Sequence, residues 1–187
     1  MHESQRWARL FADLEQELHG LTAAERTAES AVRARIDTGR RTLSERFAAS
    51  RGSIVRVGAT GAELLGGEVI DVGPDWLLLR AHQLRFIALD AVVAAEGLAT
   101  PAVAPPLPTG TAGRVDLRMM LRRLARERLP VLTGLTDGMT LEGTFDRVGA
   151  DHADLAMHAA DEPRRAAAVR CVRTVALTAV AWVQLRP

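Results

Sequence analysis

The residues best suited to chemistry crowd together late in the sequence. Asp151, His152, Asp154, His158 and Asp161 fall within eleven positions. Imidazole and carboxylate at such spacing are donor types that bind a divalent transition metal. On an extended strand, positions 152, 154 and 158 share a face. A small metal-dependent hydrolase built on His152, Asp154 and His158 is therefore one reading. A solvated strand end running into a polar loop produces the same string and is the plainer reading. The sequence has no G-x-S-x-G, G-x-x-x-x-G-K or H-E-x-x-H motif. The expectation is no enzyme, with no catalytic residues, no cofactor and no metal.

The second concentration is of positive charge. Between residues 114 and 128 six Arg stand against Asp116 and Glu127, whereas the whole chain carries only +1. Leu117, Met120, Leu121 and Leu124 recur at helical spacing, so the segment from Val115 to about Arg128 reads as a helix. Arg118, Arg122 and Arg126 then form an i, i+4, i+8 line away from the apolar stripe, with Arg123 alongside. Such a line suits phosphate oxygens without reading bases. These four are the candidate nucleic-acid-binding residues; an acidic partner or plain solvation would use the same face.

Composition weakens any argument from a single Arg. All 24 basic residues are Arg, and the chain has no Lys, Asn or Tyr. A GC-rich genome produces that pattern without selecting guanidinium geometry. Three Trp, four Phe and no Tyr offer few base-stacking platforms. The lone cysteine, Cys171, rules out an internal disulfide. Within AAAVRCVRTVAL it reads as a small core residue. No apolar run reaches the roughly 18 residues a membrane helix needs. MHESQRWARLF lacks the order of a secretion signal, so the expected setting is cytoplasmic with no membrane partner.

Several elements would have to position these groups. Trp7, Leu10, Phe11, Leu14 and Leu18 form one helical stripe. Thr22-Ala-Ala-Glu25 and Thr42-Leu-Ser-Glu45 look like capping boxes. Residues 1–50 thus read as a helical arm, whose eight basic and eight acidic residues cancel. Its stripe wants an apolar partner, so Trp7, Phe11, Leu14 and Leu18 are candidates for self-association. From Ser53 the period shortens. IVRV, ELLGGEVIDV, WLLL, RFIAL and VVAA read as five strands over 51–97. Residues 98–113, rich in Pro and Gly and without charge, read as a linker. The Arg-rich helix and a second set of strands fill 114–187.

That second set echoes the first. Residues 55–75 lie on 131–151 without a gap, with eight identities in 21 positions, among them Gly67/Gly143, Gly73/Gly149 and Asp75/Asp151. IALDAVVA (87–94) lines up with VRCVRTVA (169–176) if the second set carries about six extra residues near HAADEPRR, an insertion a loop tolerates. An internal duplication is expected, with a glycine inside each long strand permitting a sharp bend.

Helix, strand, bent glycine-bearing strand, Asp-bearing turn and apolar third strand together resemble the Sm/LSm fold, a small SH3-like β-barrel found also in bacterial Sm-like RNA chaperones. The resemblance is carried by Gly67-Glu-Val-Ile-Asp-Val-Gly-Pro-Asp-Trp-Leu-Leu-Leu-Arg80, and by Asp137-Gly138 with Gly143-Thr-Phe-Asp-Arg-Val-Gly-Ala-Asp151. It implies two tandem five-stranded barrels, each preceded by a helix. The Arg-Gly or Lys-His pair with which that family contacts RNA is missing from Phe86–Val92 and Ala168–Thr174. The expected role is a non-catalytic interaction or assembly protein, partnered by itself or by another protein through strand edges or the N-terminal stripe. The alternative is a nucleic-acid-binding regulator using the 114–128 helix.

Overall fold

Thr42 caps helix α1 (Leu43–Ala49) in the computed structural model of the protein, which describes residues 39, 41–62, 64–99, 115–159 and 169–186. The Glu45 N–H donates to Thr42 Oγ1 at 3.2 Å, and the Thr42 N–H donates to Glu45 Oε2 at 2.8 Å. Two otherwise orphaned amides are thus satisfied, as the Thr-x-x-Glu spacing predicts. The helix buries Phe47 completely. A second helix, α2 (Leu117–Glu127), is capped by Asp116, whose Oδ1 accepts from the Met119 N–H at 2.7 Å. It turns Leu117, Leu121 and Leu124 inward, the stripe expected from their spacing. Among the described residues no helix is long and apolar enough to cross a membrane.

The strands lie where the alternation places them. In the first half they are β1 (Ile54–Ala59), β2 (Leu64–Val72), β3 (Trp76–Arg80), β4 (Leu84–Ala88) and β5 (Val92–Glu96). In the second they are β6 (Pro130–Leu135), β7 (Thr140–Val148), β8 (His152–Met157), β9 (Cys171–Ala176) and β10 (Val180–Leu185). Short 3-10 turns, Leu89–Ala91 and Leu177–Ala179, lead into β5 and β10. All these elements belong to the compact unit that begins at Thr42.

The expectation of two tandem barrels is overturned. Among the described residues the strands form one antiparallel ten-stranded sheet, open at both ends, in the order β5-β1-β2-β3-β4-β10-β6-β7-β8-β9. Closing a five-stranded barrel would require β5 to bond β4 as well as β1. Instead β4 takes β10, pairing Ile87 with Trp182, Phe86 with Val183 and Arg85 with Gln184. β10 bonds β6 on its other side, and Val180 to Val183 are all buried. A single apolar cluster runs through both halves, from Phe47 and Val57 to Phe145 and Val183. The expected helical arm lies, over residues 1–38, outside the described residues, and so do Trp7, Phe11, Leu14 and Leu18. Most of the expected linker also falls outside them.

Within this continuous sheet, equivalent positions of the two halves make equivalent bonds. The Thr60 N–H donates to Ala91 O at 2.8 Å and the Thr136 N–H to Ala179 O at 2.9 Å. The Leu89 N–H donates to Asp75 O and the Leu177 N–H to Asp151 O. Gly67 faces Val55, and Gly143 faces Val131. A Cβ on either would meet a carbonyl oxygen of the next strand, Arg80 O at 3.0 Å or Ala156 O at 2.0 Å. These glycines serve close approach of strands. The register shifts lie a few residues further on, between Val69 and Asp71 and between Phe145 and Arg147, and local kinks of this type bend a strand.

Candidate functional site

The described His and Asp residues among 151–159 do not converge. His152 Nδ1 bonds Asp151 Oδ1 at 2.8 Å at the exposed start of β8. Asp154 Oδ1 accepts from Thr174 Oγ1 at 2.7 Å. His158 lies beyond the strand and is buried, with Nε2 against Thr144 Oγ1 at 2.7 Å and Nδ1 against Ala159 O at 2.8 Å. Both its ring nitrogens are occupied by neighbours, which suits a structural histidine. Asp161 lies outside the described residues. Among the described residues no group of three or more His, Cys, Asp or Glu could hold a metal ion.

The Arg line forms on α2, but the chain itself uses most of it. Arg118 pairs with Asp116 at 3.5 Å and Arg123 with Glu127 at 2.9 Å. Arg122 donates to the carbonyl oxygens of Val148 and Gly149 at 3.3 and 3.2 Å, tying the helix to the end of β7. Arg126 is exposed in the last turn, where a cation complements the helix dipole. Periodicity carried no information about the carbonyls these side chains would meet.

A cavity of about 210 Å³ opens where the halves meet, lined by Asp75, Asp90, Arg118, Thr136, Leu177 and Thr178. Asp75 Oδ1 accepts the Leu117 N–H at 2.8 Å. Burial is the largest influence on its carboxyl and pushes it above the ordinary value, reinforced by the charges of Asp116 and Asp90 and opposed by that hydrogen bond. At the corresponding place in the second half the direction reverses. The hydrogen bond and charge of His152 hold Asp151 below the usual carboxylate range. The cavity is lined by carboxylate, guanidinium and threonine side chains, and sequence reasoning missed it because its lining comes from five separate segments.

The join between β4 and β10 is the best-built polar feature. Arg85 spans it, donating through Nε to Gln184 Oε1 at 3.2 Å and lying 5.1 Å from the centre of the Trp182 ring. Burial lowers the Arg85 guanidinium from its ordinary value. Gln184 in turn donates to Gln83 Oε1 at 2.6 Å. Trp182 is thus packing at the join between the halves. Trp76 is buried, and its Nε1–H donates to Val115 O at 2.7 Å.

The two ends of the sheet are β5 and β9. Among the described residues no strand pairs with the outer side of β5 or of β9. Val93 on β5 is 72% exposed and Val172 on β9 is 57% exposed. Cys171, expected in the core, is exposed on β9 with a free thiol. Its stretch is apolar in composition, but only Val175 of β9 is buried, because an end strand has a neighbour on one side only. Unpaired ladder groups and exposed apolar side chains are what an edge strand offers to a further strand. Compared with protein-family models, curated proteins and solved structures, the chain matches none of them.

Proposed function

We propose that the protein is a non-catalytic assembly protein, built by duplication of a five-strand unit, whose working surfaces are the open edges β5 and β9. The observation that carries this reading is the β4–β10 ladder. Strands at the edges of the two halves join there through backbone bonds and a buried Trp, so the chain already contains one edge-to-edge junction. The principal partner is another copy of the chain. The exposed thiol of Cys171 on an assembling edge suits a reducing compartment such as the cytoplasm.

Light scattering of the full chain over a wide concentration range tests the reading. The expected result is a mass above that of one chain, rising with concentration. A strict monomer at the highest concentration overturns it.

A further inference from the structure

The internal junction specifies how a second copy would be received. The 3-10 turns that separate β4 from β5 and β9 from β10 start at residues 89 and 177, which are 88 apart. The second half therefore carries twelve extra residues rather than the six expected, and Ile87 corresponds to Val175, not Val169. The same offset carries Arg85, Phe86 and Ile87 of β4 onto Arg173, Thr174 and Val175 of β9. In the other direction it carries Trp182, Val183 and Gln184 of β10 onto Ala94, Ala95 and Glu96 of β5. The partners of the internal ladder therefore recur, separated, on the two outer edges.

Resting on the proposed assembly role, we infer that β9 receives β5 of a second copy, antiparallel and head-to-tail. In this register Arg173 faces Glu96 of the second copy, Thr174 faces its Ala95 and Val175 faces its Ala94. Three observations support the register. Arg85 and Arg173 occupy equivalent places, and the Gln184 that Arg85 grips is replaced by Glu96, a carboxylate of opposite charge. Arg173 and Glu96 are both exposed on their end strands. In this register Val172 lies opposite Gly97 and Val93 opposite Ala176, so two of the most exposed apolar residues described border the new seam.

The two junctions differ in one respect that sets their strength. Trp182, which is buried in the internal junction, has Ala94 as its counterpart. The junction between copies lacks that aromatic contact, so it is reversible and concentration-dependent where the internal one is permanent. Head-to-tail addition leaves one β5 and one β9 open at the ends until the series closes on itself.

The test uses full-length chains in a Cys171→Ala background. Glu96→Cys and Arg173→Cys are made separately, mixed and oxidised. The inference expects a disulfide between the two variants and none in either variant alone. A disulfide in one variant alone means a two-fold β5–β5 or β9–β9 contact and overturns it.

Charge reversal gives a second readout. Glu96→Arg or Arg173→Glu weakens association about five- to tenfold, and the double exchange recovers it. Glu96 also pairs with Arg56 on β1, a contact the double exchange leaves broken, so recovery reports on the pair between copies. Wild-type assembly without the cross-link or the recovery removes this register but leaves the assembly role standing. A monomeric wild type removes both.

Discussion

The internal junction makes one prediction that can be worked through in numbers. Trp182 pairs with Gly134 across the β6–β10 ladder. The indole lies against that glycine so closely that a Cβ there would sit 2.1 Å from Trp182 Cε2 and Nε1. The ring is buried, so it has little room to withdraw. Gly134→Ala should therefore cost about 1–3 kcal/mol through overpacking, although alanine suits a strand better than glycine. Trp182→Ala should cost about 3–5 kcal/mol by emptying the space. In the double variant the new methyl group enters the vacated volume, and the penalty at position 134 disappears. The two changes are then non-additive by about 2 kcal/mol. Urea denaturation of the four proteins, followed by far-ultraviolet circular dichroism at one fixed concentration, measures this coupling. Costs that add to within about 0.5 kcal/mol would refute the contact between the indole and Gly134.

Three further predictions concern charge. Asp75 has a folded pKa raised mainly by burial, so the folded chain holds its proton more tightly than the unfolded chain does. Its contribution to stability is full below the unfolded value of about 3.9 and is lost as pH rises through the raised folded value. Asp75→Asn keeps an acceptor for the Leu117 N–H, so it should flatten the melting temperature just above the ordinary carboxylate range. It should also be at least as stable at neutral pH, and a clear loss there would contradict the sign. On α2, Arg122→Ala should lower stability by about 1 kcal/mol by releasing the carbonyl oxygens of Val148 and Gly149. With Arg118 and Arg123 held by acids, a low-salt gel shift with single-stranded RNA or duplex DNA should show no complex. A shift abolished by Arg118→Glu, Arg122→Glu and Arg126→Glu together would restore the nucleic-acid reading.

Strands were easier to see in the sequence than the way they pair. IVRV alternates and its strand is alternately exposed and buried; Thr42 and Glu45 announce their helix cap; the Leu stripe of α2 faces inward. Each of these follows from contacts a few residues apart. Which strand borders which depends on backbone bonds that any antiparallel edge can offer, so periodicity left the β4–β10 choice open. One signal was available. VAWVQL carries an unbroken apolar run, whereas VVAAE offers small residues and a charge, and a continuous run is what a strand covered on both faces requires. The same distinction explains Cys171, whose apolar neighbours suggested burial while its strand ends the sheet. His158 was singled out for chemistry, but Thr144, which occupies its Nε2, lies fourteen residues away on the facing strand.

Among the described strands the last in chain order, β10, takes a place in the middle of the sheet, between β4 and β6. During synthesis the ribosome delivers the first half complete except for this neighbour. The flank of β4 must then wait, bare and apolar, until residues 180–185 emerge. Over that interval a nascent chain is most exposed to mispairing with other newly made chains, and a nascent-chain chaperone would be needed most there. A premature stop before Val180 would leave that flank bare for good, turning a brief hazard of translation into a lasting source of aggregates.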